Sequence, residues 1–415
     1  MKHYVIIGNG VAAAGCIEGI RAQDKEGAIT VISGENRPVY CRPLISYYLE
    51  GKTDLTRIGY RNPDFYDKNG CFVHYGKRVT ALDAAAHTVT LDTGDAMRYD
   101  AVCVATGSSP FVPPMEGLEN VPQKFPFMTL DNTLALEQAI TPESRVLIIG
   151  SGLIGLKCAE GLHGRVASIT VCDLAPGVLS SILDDECAAM MQKHLEENGI
   201  SFLLGNSAKS FAPNLAHMQN GEDVPFDVLV LAVGVRPNTA LVKDAGGEVG
   251  KGIRVNVRLE TSLTDVYAAG DCTEMPDISS GKDKIMALLP NAYMQGFAAG
   301  KNMAGGNGVF NTAIPMNSIG FFGLHCHTAG TQFSAQEGGT VYEEKDSTHI
   351  KRLFVRGNKL TGFMMLGHMH RTGIYTALIR NQTPLDTVDF ERLKVTPQLA
   401  DLNAEYRNHV LKGVV

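Results

Sequence analysis

The residues with the clearest chemical purpose in this chain are glycines. Gly8-Asn9-Gly10-Val11-Ala12-Ala13 and Gly150-Ser151-Gly152-Leu153-Ile154-Gly155 are two copies of one spacing, G-x-G-x-x-G/A. Gly8 and Gly150 permit a tight turn. Gly10 and Gly152 let the backbone approach a pyrophosphate, and Ala13 and Gly155 let a helix pack closely on a strand. A helix starting at such a turn aims unpaired N–H groups and the positive end of its dipole at phosphate. A single copy is weak evidence, because glycine turns also serve packing. Two copies, each in full context, imply two dinucleotide sites in one polypeptide.

The context is a strand before each turn and a helix and a second strand after it. Residues 4–7 (YVII) and 145–149 (RVLII) are short apolar runs of the kind buried on both faces of a parallel sheet. An Ala-rich helix to about residue 22 and a helix over 156–162 follow, then strands at 28–32 and 169–172. An acid stands about 20 residues past each turn, Glu35 just beyond its strand and Asp173 closing its own. Either carboxylate is placed to accept from a ribose hydroxyl. Asp173 would repel a 2′-phosphate, and no Arg follows it in DLAPGVLSS, so the second site is expected to prefer NADH over NADPH.

Composition agrees. A chain of 415 residues suggests two or three domains, and 44% hydrophobic residues supply their cores. Lys plus Arg is 37 against 44 for Asp plus Glu, which argues against a general nucleic-acid binder. No apolar run reaches the ~18 residues of a membrane span, and the N-terminus runs from Met1 straight into a strand, so a cytoplasmic protein is expected. Nine cysteines include no C-x-x-C pair or metal-ligand spacing, and most lie in apolar segments as small buried hydrophobes.

Four further segments extend the pattern: residues 100–110 (DAVCVATGSSP), 226–238 (FDVLVLAVGVRPN), 261–272 (TSLTDVYAAGDC) and 288–300, which holds Asn291, Ala292 and Gln295. By itself Asp271 reads as a turn or helix-capping Asp. In this order, however, the chain resembles the FAD-dependent pyridine nucleotide oxidoreductases with two dinucleotide-binding domains. It resembles most the NADH:rubredoxin and NADH:ferredoxin reductases and the flavin-binding part of assimilatory NAD(P)H-nitrite reductases, over residues 1 to about 305. The resemblance implies an α/β flavoprotein with two Rossmann-like domains, for FAD and NAD, plus a C-terminal α+β domain. Residues 1–110 and 240–308 would form the FAD domain, 111–239 the NAD(P)H domain and 309–415 the C-terminal interface domain. It implies FAD contacts from Gly8, Gly10, Ala13, Glu35, Arg42, Pro43, Ala105, Thr106, Gly107, Gly270, Asp271, Asn291 and Ala292, with Asp271 on the ribityl chain. NAD contacts would come from Gly150, Gly152, Ile154, Gly155, Asp173, Val233 and Gly234.

At the reaction centre the sequence departs from its relatives. Residues 38–48 (PVYCRPLISYY) hold one cysteine, Cys41, where disulfide reductases carry a redox pair. Cys41 is either a passive lining residue or, with its pKa lowered by Arg42, a thiol for an NADH oxidase, peroxidase or coenzyme A-disulfide reductase. Relatives often pair a Glu after the second turn with a Lys near the flavin's reactive nitrogen. Here those places fall to Lys157 and Tyr47. Lys157 is then either a cation that raises the flavin potential or a lysine reaching to solvent.

The last hundred residues read as short strands at 340–343, 351–356 and 359–366, the latter two joined as a hairpin at Gly357-Asn358, then a helix near 371–380. His349, Lys351, Arg352, Arg356 and Lys359 form a basic run, either an electrostatic dock for an acidic carrier or solvated hairpin charges. His325-Cys326-His327 and His368-Met369-His370 look ligand-like but lack metal-site context, and no metal is expected. The resulting expectation is an NADH oxidoreductase that passes hydride to FAD and electrons to a rubredoxin, ferredoxin or iron–sulfur partner subunit. It would act as a homodimer or as part of a larger complex. A flavin-bound NADH sensor without turnover is the alternative from another class.

Overall fold

The computed structural model describes residues 1–367, 370–402, 404 and 407. Two compact units emerge: 1–176 with 199–275 and 283–311, and 177–198 with 276–282 and 312–415.

The first unit contains the same architecture twice. One five-stranded parallel sheet has the order Val266–Ala268, Ala101–Val104, His3–Ile7, Ala28–Ser33, Cys71–Tyr75. The other runs Lys124–Pro126, Val228–Leu231, Arg145–Ile149, Ser168–Asp173, Ile200–Leu204, again all parallel. The glycine turns follow the third strand of each sheet, leading into the helices Val11–Gln23 and Leu153–Leu162. Each half also carries a three-stranded antiparallel meander, at Val79–Arg98 in the first and Ala208–Pro225 in the second. Val5, Ile7, Val102, Val104 and Val266 form the core of one half. Leu147, Ile149, Leu229 and Leu231 form that of the other. The chain crosses between the halves twice, and the crossing strands Ser108–Pro110 and Val235–Pro237 pair antiparallel as a ribbon.

One feature of the first half is not apparent from its turn motif. The helices Val11–Gln23 and Leu289–Met303 pack with almost no separation, through Gly15 and Gly19 on one and Gly296 and Gly300 on the other. A Cβ at any of the four would collide with the opposite backbone. Only glycine permits that approach, and it brings the two helix N-termini side by side.

The second unit is an antiparallel sheet ordered Met316–Phe321, Leu324–Gly330, Lys359–Leu366, Ile350–Arg356, Thr340–Lys345, with the helix Thr372–Arg380 packed against it. The hairpin at Gly357 forms as expected. The Met316–Gly330 hairpin is additional, closed by a turn with Phe322 at φ +48 and Gly323 at φ +88. Among the described residues no helix is long and apolar enough to cross a membrane.

Candidate functional site

The two glycine turns have the same geometry. Gly8 (φ +112) and Gly150 (φ +114) occupy conformations open to glycine. A Cβ at Gly8 would strike the carbonyl oxygen of Ala105, and one at Gly150 that of Ala232. Ala105-Thr106-Gly107 and Ala232-Val233-Gly234 therefore lie directly against the turns. At Gly107 (φ +63) and Gly234 (φ +109) the chain leaves toward the crossing ribbon. There Thr106 donates to the Asn238 carbonyl at 2.9 Å and accepts through its own carbonyl from the Asn238 amide at 2.8 Å. Gly10 and Gly152 cap their helices without any side-chain bond and with no acid in the first turn, and a Cβ at either would meet nothing within 4 Å. A helix N-terminus with no cap of its own and clear space before it is a built anion cradle. The third positions differ: Ala13 is fully buried, whereas a methyl at Gly155 would collide with the Gly150 carbonyl. Ile154 is half-buried beside it.

Around the first turn the expected residues converge. A Cβ at Gly270 (φ +86) would touch those of Ala12 and Ala292, so the Gly270-Asp271 turn meets both helix N-termini. The Gly270 N–H donates to buried Gln295 at 2.6 Å, and Asn291 is buried alongside. Burial pushes the Asp271 carboxyl up, opposed by the Arg42 guanidinium and by the Ser108 hydroxyl at 3.5 Å. A carboxylate held so sparsely by protein donors suits sugar hydroxyls. Arg42 also pairs with Glu35 at 2.5 Å and donates to the Met128 carbonyl at 3.1 Å, while the Tyr40 hydroxyl donates to Glu35 at 2.8 Å. Pro43 starts the short helix Leu44–Leu49. Glu35 stands off its strand for a visible reason. Ile7 pairs with Ile32 as Ile149 pairs with Cys172, so Ser33 matches Asp173 and Glu35 lies two residues further on.

Asp173 is tied to its own turn. One carboxylate oxygen accepts from the Ser151 N–H at 2.6 Å and the Ser151 hydroxyl at 2.9 Å, the other from the Ala175 N–H at 2.9 Å. The residues present thus fit two dinucleotides, one at each turn.

At the reaction centre the structure bears on the alternatives left open for Cys41 and Lys157. Arg42 does not activate Cys41: its guanidinium is engaged with Glu35 and Met128, and burial pushes the half-buried Cys41 thiol up, offset by the Leu44 N–H. All nine cysteines are free thiols. Nor does Lys157 reach to solvent. Its side chain is 13% exposed, pairs with the 8% exposed Glu160 at 2.5 Å, and lies 5.1 Å from the centre of the Tyr47 ring. The structure brings Lys157 and Tyr47 together with the Glu160 carboxylate, which the glycine-turn motif does not mark. Its signal was the i,i+3 spacing of Lys157 and Glu160 on one helix.

In the second unit the basic run divides: Arg356 and Lys359 are exposed charges of the hairpin, while His349, Lys351 and Arg352 are paired within the sheet. Arg352 is 8% exposed and bound by Asp184, Glu186 and Glu343; Lys351 pairs with Glu344 and His349 with Asp346. Arg356 lies over the Phe333 ring, and Lys359 donates to Gln382 at 3.3 Å. The reason is the sheet register, which sets the Glu343-Glu344 strand opposite Lys351-Arg352. His327 bonds Ser318 and Thr372, and burial, then His325, lower its pKa. Among the described residues no cluster of His, Cys, Asp or Glu is placed to hold a metal. His368 and Met369 lie outside the described residues.

Comparison with known proteins adds four findings. The model of the pyridine nucleotide-disulphide oxidoreductase family matches residues 2–296. The epsilon subunit of the NADH-dependent phenylglyoxylate dehydrogenase of Aromatoleum evansii is 31% identical over 391 residues, 92% of this chain and 92% of that subunit. The assimilatory nitrate reductase electron transfer subunit of Bacillus subtilis is 31% identical over 375 residues, 88% of this chain but 48% of that protein. Among solved structures, the covalent putidaredoxin reductase–putidaredoxin complex matches with a TM-score of 0.86 over 100% of this chain and 99% of that one; at 21% identity this likeness shows the fold.

Proposed function

The chain belongs to the pyridine nucleotide-disulphide oxidoreductase family, and on that premise we propose that it relays electrons from NADH, through FAD, to a separate protein acceptor. It is an FAD- and NADH-dependent oxidoreductase. The observation that carries the rest is the pair of uncapped, glycine-opened helix N-termini within one compact unit. The half built from residues 1–110 and 240–308 would hold FAD. Gly8, Gly10 and Ala13 accommodate its pyrophosphate, Ala105-Thr106-Gly107 and Gly270 line the approach, and Asp271 accepts from its ribityl hydroxyls. Glu35 keeps a lone pair for a ribose hydroxyl while Arg42 and Pro43 hold the loop, and Asn291 and Ala292 present the helix that faces the ring. Residues 111–239 would bind NADH through Gly150, Gly152, Ile154 and Gly155, with Asp173 accepting from the 2′-hydroxyl and Val233-Gly234 lining the approach. Residues 309–415 form the C-terminal α+β part.

When bound, FAD supplies the conversion between two-electron and one-electron transfer. The chain contributes binding, orientation and exclusion of water. The acceptor is a small iron–sulfur or rubredoxin-type carrier, or an iron–sulfur partner in a larger complex. This is supported by relatives described as a dehydrogenase subunit and an electron transfer subunit. Against a thiol mechanism, burial pushes the Cys41 thiol up, away from the thiolate that such a mechanism uses. Anaerobic titration of the purified flavoprotein with NADH, followed by an acceptor screen, is the test. Bleaching at one equivalent and reoxidation by a carrier protein are expected. Colourless protein, or no bleaching, would refute the reading.

A further inference from the structure

The two dinucleotide-binding halves are joined covalently only by the segments that pair as the Ser108–Pro110 and Val235–Pro237 ribbon. A two-stranded ribbon is a weak constraint on angle, yet hydride transfer demands that the two cofactors meet within fractions of an ångström. Something else must set that angle, and the short helix Leu44–Leu49 is placed to do so. By sequence it belongs to the first half, directly after the Glu35–Pro43 loop, but it packs on the Leu153–Leu162 helix of the second. A Cβ at Gly161 would come within 3.0 Å of the Ser46 carbonyl and 3.2 Å of the Leu49 Cβ. At its end Arg165, just past the second helix, donates to the Leu49 carbonyl at 2.5 Å and to Glu137 at 2.9 Å. Glu137, on the Leu130–Ala139 helix, also accepts from the Tyr48 hydroxyl at 3.1 Å. One guanidinium therefore binds two elements of the second half to the C-terminal end of a helix from the first, where a cation is favoured by the helix dipole.

We propose that Arg165 is a positioning residue: with Glu137 and Tyr48 it locks the two halves at the angle at which NADH meets the flavin. The proposal rests on the electron-relay reading above, and the two fail in different experiments. The test is anaerobic stopped-flow reduction of the flavin-loaded protein by NADH, for wild type, Arg165→Gln, Arg165→Lys and Tyr48→Phe. With FAD content and NADH affinity unchanged, Arg165→Gln is expected to lower the flavin reduction rate at saturating NADH by about 100-fold. Arg165→Lys, which keeps the charge on Glu137 but not the fork, recovers part of it. Tyr48→Phe, which removes only the hydroxyl that reaches Glu137, lowers the rate by about two- to tenfold. In the flavin-free protein, amide hydrogen exchange over residues 44–52 is expected to rise in Arg165→Gln. Wild-type reduction rates in Arg165→Gln or Tyr48→Phe would overturn the proposal. So would losses that merely follow lost FAD or weaker NADH binding, or unchanged exchange over residues 44–52. If NADH fails to reduce the wild-type flavin, the relay reading falls, while the exchange measurement still decides whether the lock exists.

Discussion

At Gly8 and Gly10, neighbours in one turn, glycine is needed for opposite reasons. Gly8 has a positive φ and a carbonyl where its Cβ would be, so Gly8→Ala must shift the backbone. Gly10 has φ −90 and open space. Gly10→Ala should therefore leave the melting temperature of the flavin-free protein within about 2 °C of wild type, an effect of a few tenths of a kcal/mol, while flavin content falls sharply. Gly8→Ala should lower both. Absorbance at 450 nm and calorimetry separate the two outcomes. Cys41→Ser should keep NADH-to-acceptor turnover within about twofold, since a thiol pushed up by burial is not a ready nucleophile. Steady-state assay with an artificial acceptor checks this, and abolished turnover with intact flavin reduction would revive a thiol mechanism. The glycines were legible because one backbone geometry admits one residue type. Glu160 was less so: its i,i+3 spacing marks a pair with Lys157, but no local rule says that the pair is buried. The fate of Arg42 was hidden, its partners being Glu35 and the distant Met128.

The strands on either side of each glycine turn, and the helices between them, follow from apolar runs and turns, and the Gly357 hairpin from alternation about a turn residue. Two elements do not. The Gly15/Gly19–Gly296/Gly300 contact joins segments about 280 residues apart, and the Met316–Gly330 hairpin turns at Phe322-Gly323 without the Asn-Gly or Asp-Gly pair that marks such turns. The Arg352 cluster makes a prediction at this scale. Lys345 and Arg352 hold the Glu186 carboxyl below its ordinary range, and Arg352 and Lys345 hold that of Glu343 there. Groups with lowered folded-state pKa stabilise above the unfolded value, about 4.3, and that stabilisation disappears as pH falls through the folded values. The wild-type melting temperature should therefore drop on acidification below about pH 4.5. Arg352→Leu should melt lower at pH 7 and show a shallower acid slope; parallel profiles would contradict this.

Over the whole molecule the net charge is −7, and two of the strand bases, Lys351 and Arg352, are paired within their own unit with Asp184, Glu186, Glu343 and Glu344. A net negative chain offers an acidic carrier no overall attraction, so added salt should leave the rate of electron transfer to such a carrier unchanged or raise it. Stopped-flow reoxidation at several ionic strengths tests this; a steep fall with salt would point to a basic dock elsewhere. The crossing ribbon has one more implication. Because the strand leading into the second half lies hydrogen-bonded beside the strand leading out, that half is in topological terms a cassette, with entry and exit at a single seam. A cassette can be exchanged without rethreading its host, so pyridine nucleotide preference can be altered, in evolution or by design, by replacing residues 111–176 and 199–234 while the flavin-holding scaffold, and residues 177–198 whose Asp184 and Glu186 bind Arg352 in the second unit, stay as they are.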